Sequence, residues 1–270
     1  QGYRTVVASA SEFVLPLLAG WSILWGHGWK PAFYLFVIPL GIAVWAVFAL
    51  PRANRRQRGN SLSLGREAAA VMSRGDVLGV TAGGFARWFL KYGFYAYIPL
   101  YLAYDVHAGP AAIGFVVGIP GLVGALAATQ VGRFDIQSSG RWGLVIALAV
   151  FGLSIGAAAA FPQLWWVAAL TAVQGAADGI LGSPVNSYIS ILPPASVRVT
   201  VVAASGFLRN LGKGIAPGVV GVLVSAAGYR AAFAAISVLG LAAPAYLLPL
   251  LRLRSQPRTA SADLPVASQK

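Results

Sequence analysis

The stretch PAAIGFVVGIPGLVGALAATQVG at residues 110–132 contains no charged residue and consists mainly of aliphatic side chains and glycine. A transmembrane α-helix needs about 20 consecutive apolar residues to cross the hydrocarbon core of a bilayer, and this stretch is long enough. Lipid offers no partners to backbone N–H and C=O groups, so such a segment satisfies them internally as a helix. A membrane β-strand would need only about 10 residues of alternating polarity, which is a different pattern. The stretch therefore predicts a membrane-spanning helix.

The same apolar character extends over the whole chain of 270 residues. Hydrophobic residues make up 58% of it, charged residues make up 10%, and the mean hydropathy is +0.73. These values lie far outside the range of soluble globular proteins. Predicted spans are at 4–26, 30–51, 77–104, 110–132, 141–161, 164–192, 199–225 and 229–251. The sequence predicts an all-α integral membrane protein with about eight transmembrane helices.

Lysine and arginine are concentrated in alternate segments between the predicted spans. The basic residues of the richer set are Arg4, Arg52, Arg55, Arg56, Arg58, Arg66, Arg74, Arg133, Arg141, Arg198, Arg252, Arg254, Arg258 and Lys270. The opposite segments carry only Lys30 and Arg230. Because positive residues are retained on the cytoplasmic side, we expect a multi-pass protein of the cell membrane with both ends of this chain cytoplasmic. The net charge of +13 is dispersed over these loops, which argues against a nucleic-acid partner.

The segment RANRRQRGNSLSLGREAAAVMSRGD at 52–76 is the long connection between spans and is predicted to be a basic cytoplasmic linker. Part of it fits a short helix lying on the membrane surface, and a merely solvated connector is the alternative. The apolar face of that helix would comprise Leu62, Leu64, Ala68, Val71 and Met72. The polar stretch 252–270 contains Pro and Ser and is predicted to be a disordered cytoplasmic tail.

A sequence pattern recurs at an offset of about 200 residues. The first copy is Pro16-Leu-Leu-Ala-Gly20 followed by Trp29-Lys30-Pro31-Ala32-Phe33, and the second is Pro217-Gly-Val-Val-Gly221 followed by Tyr229-Arg230-Ala231-Ala232-Phe233. Six predicted spans separate the copies, so the repeating unit is six helices in the same orientation. Parallel six-helix halves are the layout of one large class of secondary transporters.

In this layout the chain resembles the major facilitator superfamily. The fifth and eleventh helices of that family are followed by a short external loop of the form Gly-aromatic-basic-x-x-Phe. The matching loops are Gly28-Trp29-Lys30-Pro31-Ala32-Phe33 and Gly228-Tyr229-Arg230-Ala231-Ala232-Phe233. The resemblance implies that the spans correspond to helices five through twelve and that the first four are missing. Residues 1–51 would be the last two helices of an N-terminal bundle, and 77–251 a complete C-terminal six-helix bundle.

Several ionisable residues lie deep inside the predicted spans. They are Glu12, Arg87, Lys91, Asp178, Arg209 and Lys213. A charge at the centre of a membrane costs about 2.5–3.5 kcal/mol on insertion scales, so each is a candidate for function. Arg87 and Lys91 are one helical turn apart, and Tyr95 continues the same face. Two cations this close repel each other, so we expect an anionic group to face them.

A second helical face carries Gln174 and Asp178, again four residues apart. The family resemblance implies a central cavity, and it would place along the substrate pathway Arg87, Lys91, Tyr95, Gln174 and Asp178. In one interpretation the basic pair binds an anionic group such as a carboxylate, while Asp178 or Glu12 exchanges a proton. In the other, Asp178 neutralises Arg209 or Lys213 in a static buried pair that fixes helix packing.

Glycines also occur in pairs four residues apart within the spans. These pairs are Gly114/Gly118, Gly152/Gly156, Gly175/Gly179 and Gly214/Gly218. Such small-x-x-x-small faces allow two helix backbones to approach closely. We therefore predict close helix–helix contacts at each pair.

These features predict a secondary active transporter that moves a small solute by alternating access. An anion or a drug-like efflux compound is the candidate substrate, and coupling to protons or other ions is open. The alternative is a non-transporting scaffold or solute sensor of the same fold, in which the buried charges are structural. The sequence has no cysteine, no His/Asp/Glu cluster with metal spacing and no phosphate-binding loop, so enzymatic activity, a metal and a cofactor are not expected. The expected partners are a small-molecule substrate, the lipid bilayer and the missing helices.

Overall fold

The computed structural model of the chain describes residues 13–14, 16–21, 23, 37–49, 61–130 and 136–252. Within these ranges the backbone is helical apart from short turns, and no strand occurs in them. The helices are α1 (Val37–Ala49), α2 (Ser61–Met72), α3 (Gly75–Tyr104), α4 (Pro110–Ala128), α5 (Ile136–Ala160), α6 (Leu164–Ile191), α7 (198–227) and α8 (229–252). Helical residues at 13–14, 16–21 and 23 are called the N-terminal segment below.

Four helices within the described ranges are long and apolar enough to cross a bilayer, judged by length and composition. They are Pro110–Ala128, Trp142–Ala160, Leu164–Ile191 and Arg198–Pro249. The last is 52 residues long and is divided at Gly228, where φ is 80° and ψ is 171°. Each of its two parts, α7 and α8, exceeds the roughly 20 residues that one span needs. The predicted fold class, an all-α membrane protein, is confirmed.

The predicted first two spans, 4–26 and 30–51, are described only in the N-terminal segment and α1. The predicted tail, apart from its first residue, lies outside the described residues. The remaining predicted spans coincide with α3 to α8 to within a few residues at most ends. The exception is the start of α5, because the helix already begins at Ile136.

The best-buried part of the protein lies between α3, α5 and α8. Its large, fully buried side chains are Leu90, Phe94, Ile98, Tyr101, Leu144, Leu148, Phe151, Ile155 and Phe233. Phe94 and Tyr101 both meet Phe233 edge to face, with ring centroids 4.9 Å and 5.3 Å apart. This is a favoured arrangement of aromatic rings. The packing fixes the rotation of α3 about its own axis, and with it the positions of its charged residues.

The turn that joins α7 to α8 contacts the end of α5. Gly228 adopts a positive φ at no steric cost, because it has no β-carbon. Arg230 donates from Nε to the carbonyl oxygen of Ala159 at 2.8 Å and from Nη2 to that of Ala160 at 3.3 Å. The hydroxyl of Tyr101 in α3 donates to the carbonyl oxygen of Ala158, in the same last turn of α5, at 2.7 Å. These carbonyls end α5 and have no partner in a further helical turn, so the Gly-aromatic-basic loop caps a neighbouring helix.

Glycines bring α4 and α6 into backbone contact. A β-carbon placed on Gly175 would lie 2.3 Å from the carbonyl oxygen of Pro120. One placed on Gly179 would lie equally close, 2.3 Å, to the carbonyl oxygen of Gly124. Comparably tight surroundings exist at Gly114/Gly118 and Gly152/Gly156. The predicted close packing is thus confirmed at three of the glycine pairs.

The fourth predicted pair, Gly214 and Gly218, makes no such contact with the described part of the chain. No described atom lies within 4 Å of the position that a β-carbon on either glycine would occupy, and both residues are exposed. The described part of the chain does not bear out the prediction for this pair. Glycine spacing indicates a smooth helix face, but it does not show whether another helix lies against that face.

The N-terminal segment packs on α4 through the glycines of α4. A β-carbon on Gly114 would lie 2.7 Å from the carbonyl oxygen of Pro16, and one on Gly118 would lie 2.9 Å from that of Phe13. Helix α4 therefore makes backbone-to-backbone contacts on two sides, one with α6 and one with the N-terminal segment.

The predicted linker at 52–76 contains a helix, α2, in its second half, and the predicted position of that helix on the membrane surface stays a prediction. Ala68 is 5% exposed and clusters with Val77 of α3 and with Val197 and Val201 around the start of α7. Met72 packs against the same cluster. The side chains of the two leucines on the predicted face lie outside the described residues. Helix α2 thus rests partly on protein through its apolar face.

Candidate functional site

Helices α3 and α6 bring three of the predicted pathway residues together. Arg87 and Lys91 lie one turn apart on α3, and Asp178 of α6 faces both. Arg87 donates from Nη2 to Asp178 Oδ1, and Lys91 donates from Nζ to Asp178 Oδ2 at 2.7 Å. One carboxylate therefore receives a cation on each of its oxygens, which makes both contacts charge-assisted hydrogen bonds. We call Arg87, Lys91 and Asp178 the ion triad.

The ion triad is largely shielded from solvent. Side-chain exposure is 7% for Arg87, 15% for Lys91 and 19% for Asp178. Exposed ion pairs contribute little, whereas removal of one partner from a buried pair leaves an uncompensated charge and is strongly destabilising. The triad carries a net charge of about +1 if all three groups are ionised at neutral pH. The expectation that an anionic group faces the two cations is met by Asp178.

Gln174 lies on α6 one turn before Asp178, on the same side of the helix. It is fully buried, at 0% exposure, and its amide nitrogen and oxygen have no hydrogen-bond partner among the described residues. Thr171, by contrast, donates to main-chain oxygens of Val116 and Ala168 at 3.3 Å and 3.0 Å. An unpaired buried polar group costs about 1–3 kcal/mol, so Gln174 has hydrogen-bonding capacity for a polar ligand to satisfy.

Arg209 of α7 lies beside this group but is not bound to Asp178. Its aliphatic chain rests on Gly84 of α3, where an added β-carbon would lie 3.2 Å from Arg209 Cγ and Cδ. Its Nη1 donates to the side-chain oxygen of Asn186, and its buried Nε has no hydrogen-bond partner in the described ranges. The alternative interpretation named Arg209 or Lys213 as the partner of Asp178. In the structure, Asp178 instead forms ion pairs with Arg87 and Lys91 of α3.

Lys213, one turn after Arg209, contacts aromatic rings of α3. Its Nζ lies 4.0 Å from the ring centroid of Trp88 and 5.1 Å from that of Tyr92. Lys91 Nζ lies 5.5 Å from the same Trp88 ring and 5.9 Å from the ring of Tyr95. Cations at such distances are attracted by the negative face of the ring. Trp88 therefore lies near a cation of its own helix, α3, and a cation of α7.

Two residues of this arrangement were missed in the sequence analysis, Asn186 and Trp88. Asn186 continues the four-residue spacing of Asp178 and Gly182 along α6, and that spacing is the signal that could have found it. Trp88 lies between Arg87 and Lys91, where a span rich in aromatic residues gave no reason to single it out. Glu12, a candidate for proton exchange, lies outside the described residues. Within the described ranges, no group of His, Cys, Asp or Glu could hold a metal ion.

Ionisable side chains in membrane helices are rare and mark pathways for ions and polar solutes. The fold therefore defines a multi-pass membrane protein, and its buried charges are of the kind that transporters carry. The chain belongs to the Major Facilitator Superfamily, a family of membrane transporters, because the family model matches residues 80–268, well over half of the chain. The matched range includes the whole ion triad, Gln174 and Arg209. A search of curated proteins finds no match.

Proposed function

We propose that the full-length protein is a secondary active transporter that moves a small solute by alternating access. In this proposal residues 1–51 are the last two helices of an N-terminal bundle, whose first four helices precede this chain. Residues 77–251 form the C-terminal bundle, and the solute passes between the two bundles. The basic segments lie on the cytoplasmic side of the cell membrane, so both ends of the chain are cytoplasmic.

The observation that carries the proposal is the shared carboxylate of the ion triad. Asp178 is on α6, whereas Arg87 and Lys91 are on α3, so the contact joins two different helices. A proton or a solute that replaces one of these contacts changes the force between the helices. Binding free energy can then be used to shift the population of conformations, which is the requirement for coupled transport. Gln174, buried and without a described partner, adds a polar group one turn away.

Asp178 is the residue that we assign to proton coupling. The experiment is to reconstitute the full-length protein in proteoliposomes and to measure uphill uptake and solute exchange across a panel of organic anions, neutral sugars and lipophilic cations. We expect Asp178→Asn to abolish uphill uptake driven by a proton gradient while exchange of the same solute continues, measured on the folded fraction recovered by size-exclusion chromatography because the substitution also breaks a buried ion pair. Asp105→Asn is the matched control, because Asp105 is exposed at the end of α3.

The outcomes separate the candidate functions. Unchanged uphill uptake by Asp178→Asn would show that Asp178 does not couple transport to protons. A panel in which only lipophilic cations are moved outward would favour drug-like efflux. If the folded wild type moves no member of the panel in either direction but binds one of them, a solute sensor of the same fold becomes the better conclusion.

A further inference from the structure

Two arginine side chains from different helices converge on neighbouring turns of α6. Arg87 of α3 reaches Gly182, since a β-carbon placed on Gly182 would lie 3.5 Å from Arg87 Nη2. Arg209 of α7 reaches Asn186 through a hydrogen bond from Nη1. Gly182 and Asn186 are four residues apart, so they lie on one face of α6, about 6 Å apart along its axis. The two guanidinium groups are therefore neighbours.

The charges of these two arginines are balanced unequally. Arg87 donates to Asp178, which it shares with Lys91. Arg209 has a neutral amide oxygen as its hydrogen-bond acceptor and a buried Nε without one, and it forms no ion pair with any described residue. Arginine stays protonated in proteins, so it cannot escape this environment by losing its charge. Helix α7 thus holds a guanidinium next to a second cation, with no carboxylate assigned to it.

Two glycines lie beside these arginine side chains. Gly84 lies under the Arg209 side chain, and Gly182 lies beside Arg87 Nη2, so neither neighbouring backbone carries a side chain there. An alanine at Gly84 would already press on Arg209 at 3.2 Å. A guanidinium presents a planar fork of N–H donors that matches the two oxygens of a carboxylate or the oxygens of a phosphate.

We propose that Arg87 and Arg209 together bind the oxyanion of a small organic acid or of inorganic phosphate, and that this anion is the transported solute. The proposal rests on the transport function argued above and names its substrate class. It moves the anion site from the Arg87 and Lys91 pair to the Arg87 and Arg209 pair, because Asp178 already pairs with both cations of α3, whereas Arg209 forms no ion pair with any described residue. Arg209 is then a substrate ligand and not a structural residue.

The test is isothermal titration of the purified full-length protein at constant chloride ionic strength. Citrate, lactate and inorganic phosphate are the anionic probes, and glucose and choline are the neutral and cationic ones. Wild type is expected to bind at least one anionic probe and neither control. Arg209→Gln should weaken that binding at least about tenfold, because it removes a charge-assisted contact. Arg198→Gln is the matched control, since Arg198 is exposed at the start of α7.

A loss of folding in Arg209→Gln is recognised by size-exclusion chromatography, and Arg209→Lys then replaces it. The lysine keeps the charge but not the planar fork, so it should bind with an intermediate affinity. Equal affinity of Arg209→Gln and wild type would overturn the proposal, as would wild type that binds glucose or choline and no anion. If wild type binds no anion but proteoliposomes carry a neutral or cationic solute, the substrate class is wrong and the transport function stands. If wild type binds an anion but proteoliposomes carry no solute, the anion site stands and the transport function is wrong.

Discussion

Replacing Asp178 by asparagine should destabilise the protein strongly, even though the substitution changes only one heavy atom of the side chain. At 2.7 Å, the distance between Lys91 Nζ and Asp178 Oδ2, an ion pair has an attraction of about 6 kcal/mol at an effective dielectric constant near 20. Arg87 and Lys91, one turn apart, would then repel each other by about 3 kcal/mol. Because desolvation offsets part of the attraction, we expect a net loss of about 3–5 kcal/mol.

The surface value for ion pairs, about 0–1 kcal/mol, does not apply here, because the three side chains are only 7%, 15% and 19% exposed. The decisive comparison is with the triple variant Arg87→Gln, Lys91→Gln, Asp178→Asn, which removes every charge of the triad. It should regain most of the lost stability, since a neutral group of similar shape leaves no uncompensated charge.

The assay is unfolding of the full-length protein in mixed micelles, followed by tryptophan fluorescence. Asp105→Asn, at an exposed position, should stay within about 0.5 kcal/mol of wild type. If Asp178→Asn lies within about 1 kcal/mol of wild type, the triad is not the buried network described above. The same conclusion follows if the triple variant is no more stable than the single one.

The same assay tests two further features. Gly175→Ala should lose about 1–3 kcal/mol, because its new methyl group would lie 2.3 Å from the carbonyl oxygen of Pro120, and a backbone carbonyl has little room to move. Gly218→Ala should be neutral or gain up to about 1 kcal/mol from helix propensity, and equal effects at the two glycines would contradict the packing. Tyr101→Phe should lose about 1–2 kcal/mol, since it leaves the main-chain oxygen that accepts at 2.7 Å without that donor. A wild-type midpoint for this variant would show that the carbonyl finds another donor.

Hydropathy predicted the helices well because the bilayer imposes both a length and a demand for internal hydrogen bonding. The predicted spans 164–192 and 229–251 lie within one residue of α6 and α8 at each end. Hydropathy also placed Arg87, Lys91 and Asp178 deep inside their spans, and the family resemblance placed all three along one pathway. The depth of each charge in the membrane was predicted by counting residues from the nearest end of its span.

The pairing among those charges could not be predicted in the same way. It depends on the rotation of α3 and α6 about their axes, and the aromatic contacts with Phe233 that help to set the rotation of α3 come from a distant part of the chain. The contact between Arg209 and Asn186 has the same origin, since it joins two helices that hydropathy treats separately. At Gly214 and Gly218 the local pattern predicted a helix contact, and no described helix packs against that face.

The backbone contacts of α4 have a mechanical consequence. Gly114 and Gly118 of α4 present no β-carbon to the N-terminal segment, and its main-chain oxygens at Pro16 and Phe13 lie directly against them. A contact made by main-chain atoms leaves fewer side-chain rotamers to rearrange if one helix shifts along the other. The aromatic packing around Phe233 differs from this contact, because a shift there would require several closely packed rings to move together. The same chain therefore contains a main-chain contact at α4 that can tolerate a shift and an aromatic contact at Phe233 that resists one.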